Sequence, residues 1–154
     1  MGETARTVVK LSGPEAVHGI IPGALTTLEQ MGGTRVEEYG KTTVVPDMHT
    51  RKRLMAKSSN AFLALPGGYG TAEELFEVIT WNQLGIHALP IVIVNVNGYY
   101  DGLVSWINTA VEKDFISNEN KGIMLVANSA EEIPELLKNY KPSQGRIQLT
   151  WGQE

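Results

Sequence analysis

Short runs of consecutive apolar residues alternate along the chain with longer stretches in which apolar positions recur every three or four residues. The runs are His18–Ile21, Thr42–Val45, Ala61–Leu65, Ile91–Val96 and Ile123–Val126. Pro22, Pro46 and Pro66 close the first three, while Pro90 and Gly122 precede the last two. These are the lengths and boundaries of strands. The intervening stretches predict helices over Asp47–Lys57, Thr71–Leu84, Tyr100–Lys113 and Ala130–Asn139, and a further helix opens the chain at Gly2–Leu11. Strands that are apolar almost throughout have to be covered on both faces, which predicts an α/β fold with a parallel sheet between helices. A doubly wound fold of that kind normally begins with a strand, a glycine-rich turn and a helix. Here a helix comes first.

A length of 154 residues fits one domain. Residues 1–140 are expected to form it. From Lys141 the periodicity stops, and residues 141–154 read as an irregular tail over the surface. The formal net charge of −4, with no basic tract, argues against a nucleic-acid surface but leaves small anionic substrates open. The absence of cysteine removes disulfides, thiolate metal sites and cysteine nucleophiles together. His18, His49 and His87 are too far apart in sequence for a histidine metal motif. No apolar run is long enough for a membrane helix and the N-terminus does not resemble a signal peptide, so a cytoplasmic location is the default expectation.

The strongest local signal is Leu65-Pro66-Gly67-Gly68-Tyr69-Gly70-Thr71-Ala72-Glu73-Glu74, between a predicted strand and a predicted helix. Its glycines allow a tight turn and leave backbone N–H groups uncovered. With the positive end of the following helix, those donors suit a phosphate. The pattern is neither a Walker A loop nor a GxGxxG fingerprint. Thr71-x-x-Glu74 also fits a capping box, which gives Glu74 a structural role alongside any chemical one. Glu73 and Glu74 lie about 100° apart around a helix, so they cannot form a glycosidase carboxylate pair by themselves.

The second constellation is Asp47-Met48-His49-Thr50-Arg51-Lys52-Arg53-Leu54-Met55. Asp47 is a suitable N-cap. Met48, Arg51, Leu54 and Met55 fall on one stripe, with Lys52 and Arg53 toward its flanks. Arg51 therefore projects from the face the helix should bury, where its charge needs a carboxylate or a phosphate.

Met48-His49-Thr50-Arg51-Lys52 and Pro66–Glu74 resemble the MxxRK and PGGxGTxxE signatures of the LONELY GUY family. Val78–His87 and Asn97-Gly98-Tyr99-Tyr100-Asp101 are similar to its plant and fungal members. The resemblance implies a Rossmann-like doubly wound parallel sheet, a homodimer, and hydrolysis of cytokinin riboside 5′-monophosphates, with AMP as a further substrate. Older descriptions called the family lysine decarboxylases. No pyridoxal Schiff-base motif is visible here, so that activity is set aside.

By the same resemblance, Arg51 and Glu74 match the catalytic arginine and glutamate. Lys52, Gly68, Gly70, Thr71 and Thr80 match nucleotide-binding positions, and Gly67, Tyr69 and Glu73 complete the substrate-binding stretch. Glu29 is the nearest match to a substrate-binding glutamate, at a different spacing. Family members carry a strand and a glycine-rich turn ahead of a segment like Gly2-Glu3-Thr4-Ala5. This sequence starts at that segment, so the expected fold is N-terminally shortened.

N-glycoside hydrolysis passes through an oxocarbenium-like transition state. The expected mechanism seats the phosphate on the backbone of Gly67–Thr71. Glu74 faces the developing positive charge or orients the water, and Arg51 orients Glu74 and engages the nucleotide. It needs no metal and no organic cofactor. Partners are expected to be a nucleoside monophosphate and a second copy of the chain, without nucleic acid or membrane. The alternatives are a nucleotide or molybdenum-cofactor carrier that binds without cleaving, and a shortened hydrolase of impaired activity.

Overall fold

The computed structural model describes residues 2–30, 36–147 and 149, the side chains of residues 27–30 and 36–37 excepted. The chain divides into two compact units, Met1–Ser58 and Ser59–Glu154.

The first unit contains α1 (Gly2–Ser12), β1 (His18–Pro22), α2 (Gly23–Gln30), α3 (Val36–Tyr39), β2 (Lys41–Val45) and α4 (Met48–Lys57). β1 and β2 pair in parallel, with His18 opposite Lys41 and Pro22 opposite Val45. Ile21 and Val45, near the ends of the two strands, are buried, and α4 packs against both strands. Asp47 caps α4 as its sequence suggests: its Oδ1 accepts the Thr50 N–H at 2.7 Å. That bond is the main reason the Asp47 carboxyl lies below the usual carboxylate range. The opening helix is present. The short helices α2 and α3 were not expected, because Gly23-Ala24-Leu25-Thr26 opens without a strong helical period.

The second unit contains β3 (Phe62–Ala64), α5 (Tyr69–Gln83), β4 (Ile91–Val94), α6 (Asp101–Glu112), β5 (Met124–Ala127) and α7 (Ile133–Asn139). Its three strands are parallel in the order β3-β4-β5. Ile91 lies opposite both Phe62 and Met124. All four residues of β4 are buried, which is the two-sided covering its uninterrupted apolar run required. Leu75 of α5, Ile91 and Ile93 of β4, Tyr100 and Ile123 form the core. The class is thus α/β with parallel strands, as the alternation of runs and periods implied.

The C-terminal end of α5 is closed by a Schellman arrangement. Gly85 has φ +78°, its N–H bonds to Asn82 O at 3.0 Å, and the Ile86 N–H reaches back to Trp81 O at 2.9 Å. The segment after α7 has no helix or strand among the described residues, yet it is tied to this helix end. Arg146 donates from Nε to Asn82 O (2.9 Å) and from Nη2 to His87 O (2.8 Å), and the Ile147 N–H bonds to Gln83 O (2.7 Å). Asn82, fully buried, donates to Leu89 O and to the Tyr140 hydroxyl.

His87 sits inside this knot with both ring nitrogens engaged. Nδ1 accepts the Leu89 N–H at 3.1 Å and Nε2 donates to Val78 O at 2.9 Å, which requires the neutral ring. Burial lowers its pKa below the ordinary value, and the Arg146 charge adds to the same direction.

A group whose folded-state pKa is lowered leaves the unfolded chain holding the extra proton, so stability is full above the ordinary histidine value and falls as pH drops below it. Unfolding by denaturant at about pH 8 and about pH 5.5 should show a decline that shrinks in His87→Gln. A wild-type protein whose extra decline survives that substitution would remove His87 as its source. Gly85→Ala, which forces a side chain into the left-handed region, should cost about 1–2 kcal/mol in the same assay.

Candidate functional site

The glycine turn lies wholly within the second unit. β3 ends at Ala64, and α5 begins at Tyr69 with Gly68 as its N-cap and no side-chain cap bond. The first helical bond shown runs from Ala72 N–H to Gly68 O at 3.0 Å. The N–H groups of Gly68, Tyr69, Gly70 and Thr71 therefore have no acceptor within the helix. This corrects the capping-box reading of Thr71 and Glu74. Thr71 is already the third helical residue and Glu74 the sixth. Glycines are weak helix formers, so the sequence pattern placed the start at the first good capping residue and missed the turn before it.

The glycines are not equivalent. A Cβ on Gly67 would run into Thr71 Oγ1, so packing inside the turn requires glycine there. A Cβ on Gly68 or Gly70 would meet nothing within 4 Å, and neither residue has a left-handed φ. Among the described residues, no neighbour crowds those two positions. What their bareness provides is unobstructed approach to the backbone donors. Tyr69, between them, has its side chain 98% exposed.

Two tyrosines from the loop after β4 hold the turn from behind, and neither was singled out from the sequence as a site residue. Tyr99 donates to Gly67 O at 2.6 Å and Tyr100 donates to Leu65 O at 2.6 Å. Their rings meet edge to face, 5.0 Å apart. Asn95 fixes this pair: its Oδ1 accepts the Tyr100 N–H at 2.6 Å and its Nδ2 donates to Asp101 Oδ1 at 2.8 Å. Its own N–H bonds to Ala127 O of β5 at 2.7 Å. Asn97 (φ 53°) and Gly98 (φ 70°) turn the chain between them. Burial pushes the Tyr100 phenol up from its ordinary value. The usable signal was Tyr99-Tyr100 itself, since tyrosine hydroxyls near a core need acceptors.

Glu74 lies one turn into α5 and is half-buried, whereas its neighbour Glu73 is exposed. Thr80 follows Thr71 by nine residues, about 13–14 Å along the helix. Its hydroxyl donates to Phe76 O on its own helix at 2.8 Å. Within this unit, Thr80 is not brought to the turn.

In the first unit, Arg51 is half-buried on α4 and its Nε donates to Ile20 O of β1 at 3.0 Å. The sequence asked for a carboxylate or phosphate, and β1 supplies a main-chain carbonyl to that nitrogen. Lys52 is half-buried and Arg53 exposed. Glu29 belongs to α2, but its side chain lies outside the described residues. Among the described residues, no group of three or more His, Asp or Glu side chains is placed to hold a metal ion. No helix there is long and apolar enough to cross a membrane.

Parallel strands in an α/β order, with a glycine turn leading into a helix N-terminus, define a protein of the Rossmann-like α/β class. Residues 1–137 match the family model described as possible lysine decarboxylase, and the chain belongs to that family. Among its relatives, a bifunctional cytokinin biosynthesis protein of Fusarium pseudograminearum is 45% identical over 163 aligned positions, covering 98% of this chain and 34% of that protein. A cytokinin riboside 5′-monophosphate phosphoribohydrolase of Arabidopsis thaliana is 49% identical over 144 positions, covering 92% of this chain and 65% of that enzyme. A probable enzyme of the same name from Oryza sativa subsp. japonica is 48% identical over 141 positions, covering 90% and 65%. The chain thus spans between about one third and two thirds of these relatives' lengths. The likeness to LONELY GUY proteins read from the two signatures is borne out by these names.

The unequal glycines give a direct test. Gly70→Ala should leave stability unchanged or raise it by up to about 1 kcal/mol, because alanine is the better helix former and has room. Gly67→Ala should lower it by about 1–3 kcal/mol through the collision with Thr71. Denaturant titration of both variants checks this, and an early-unfolding Gly70→Ala would show an internal need for that glycine.

Proposed function

We propose that this chain hydrolyses the N-glycosidic bond of nucleoside 5′-monophosphates, cytokinin riboside 5′-monophosphates and AMP among them. The observation that carries the reading is the turn at Gly67–Thr71. It offers uncovered N–H donors at the start of a 15-residue helix, with a carboxylate one turn further on. The names of the relatives support the same chemistry, since they act on cytokinin riboside 5′-monophosphates.

In this mechanism the turn takes the 5′-phosphate, with Gly67, Gly68, Tyr69, Gly70 and Thr71 contributing backbone. Binding that remote group holds the ribose for attack. The C1′–N bond breaks, the oxygen of a water bonds to C1′, and the base leaves carrying a proton. Glu74 faces the positive charge that develops on the sugar. The Arg51 guanidinium, anchored through Nε at Ile20 O, and Lys52 supply cations for the nucleotide. Glu73, Thr80 and Glu29 belong to the substrate-binding set by family likeness alone. We assign residues 1–140 to one nucleotide-site domain, with a cytoplasmic location and a homodimeric state. Sedimentation showing only a 16.8 kDa species would remove the last.

The deciding experiment is incubation with AMP and with isopentenyladenosine monophosphate, followed by chromatography. Free base and ribose 5-phosphate should appear in equal amounts; nucleotide that stays intact would overturn the reading. Because Glu74 is not part of the helix cap, Glu74→Gln should lower base release by about 10²–10³ while ribose 5-phosphate still binds. Wild-type turnover by that variant would take Glu74 off the site.

A further inference from the structure

We propose that Tyr99 is a positioning residue that aims the Gly68 N–H at the phosphate, an inference that rests on the phosphate-binding reading of the turn. In a trans peptide the carbonyl of one residue and the N–H of the next point to opposite sides. Tyr99 holds the Gly67 carbonyl at 2.6 Å, so it fixes the Gly68 N–H away from itself. That peptide joins two glycines, one of which would meet nothing if it carried a Cβ. Thr71 crowds Gly67 on one side and the Ala72 N–H holds the Gly68 carbonyl on the other, but the Gly67 carbonyl itself is held by Tyr99. Tyr100 makes a bond of the same length to Leu65 O, and its oxygen also meets the Gly67 backbone N–H, but the residue after Leu65 is Pro66, which has no N–H to aim. Tyr100 is accordingly a tether that joins the end of β3 to the first glycine of the turn, and it does not act on the Gly67–Gly68 peptide. Two adjacent tyrosines with matching bonds thus have separable roles, decided by whether the residue after each carbonyl is a glycine or a proline.

Their placement supports the division. The Tyr99 side chain is half exposed, so its bond contributes little core packing, whereas Tyr100 belongs to the buried core. Asn95 fixes the backbone at Tyr100, and Asn97 and Gly98 set the preceding turn. The Tyr99 hydroxyl is therefore presented to the turn on a fixed base.

The test compares Tyr99→Phe with Tyr100→Phe in the full chain, by steady-state kinetics on AMP, calorimetric binding of ribose 5-phosphate, and thermal melting. Tyr99→Phe should raise KM for AMP about tenfold, weaken ribose 5-phosphate to a similar extent, and act on KM more than on kcat. Tyr100→Phe should lower the melting temperature more than Tyr99→Phe does and raise KM less. In the amide spectrum of the wild-type protein, ribose 5-phosphate should shift the Gly68 resonance, and that response should shrink in Tyr99→Phe. Unchanged KM and binding in Tyr99→Phe, or an equal rise in KM from both substitutions, would overturn the inference while base release by the wild type left the proposed function standing. A wild-type chain that neither releases base nor binds ribose 5-phosphate would overturn both.

Discussion

A peptide plane cannot show its carbonyl and its N–H to the same side. A turn that presents a row of donors outward therefore has carbonyls facing inward, and those need donors of their own. Much of the second unit can be understood as meeting that need. β4 is buried along its whole length, and Asn95 follows it, bonded to β5 through its own N–H. Its side chain sets the start of the loop that carries Tyr99 and Tyr100. These in turn donate to the carbonyls of Gly67 and Leu65. Rigidity passes from the sheet to the turn through hydrogen bonds, with no left-handed residue in the turn itself.

The helix behind the turn is restrained at both ends by different means. Its N-terminal end is left without a side-chain cap, which keeps the positive pole of its dipole available to an anion. Its C-terminal end is closed by Gly85 and by Arg146, a cation set against the negative pole.

Where the chain is apolar and continuous, its sequence was easy to read. Each of the five strand positions fell within a few residues of an observed strand, and the buried run Ile91–Val94 follows directly from composition. The elements that escaped were set by contacts distant in sequence or by weak local preference. α2 and α3 are short and lack a pronounced stripe. The start of α5 was hidden because Gly70 discourages a helix that the structure forms anyway. The bond from Arg51 Nε to Ile20 O could not be read from the sequence, because which strand carbonyl lies near that nitrogen depends on the packing of α4 on β1. The signature residues of the turn were legible as a pattern, but the tyrosines bonded to the carbonyls of Gly67 and Leu65 were not, since those bonds cross 32 and 35 positions of sequence.

That separation has a bearing on what the nine residues from Pro66 to Glu74 amount to. They look like a module that could be lifted into another strand-to-helix junction. Yet the pattern carries the bare glycines without the hydroxyl that holds the Gly67–Gly68 peptide in place, because that hydroxyl arrives on a separate segment after the next strand. A graft of the nine residues alone would bring the composition of the turn and leave its orientation behind, and a search for the nine residues alone would find turns that differ in whether their donors are held. The unit that can be transplanted is larger: the turn, its helix, the strand that comes after it, and the Asn-Gly-Tyr-Tyr loop together.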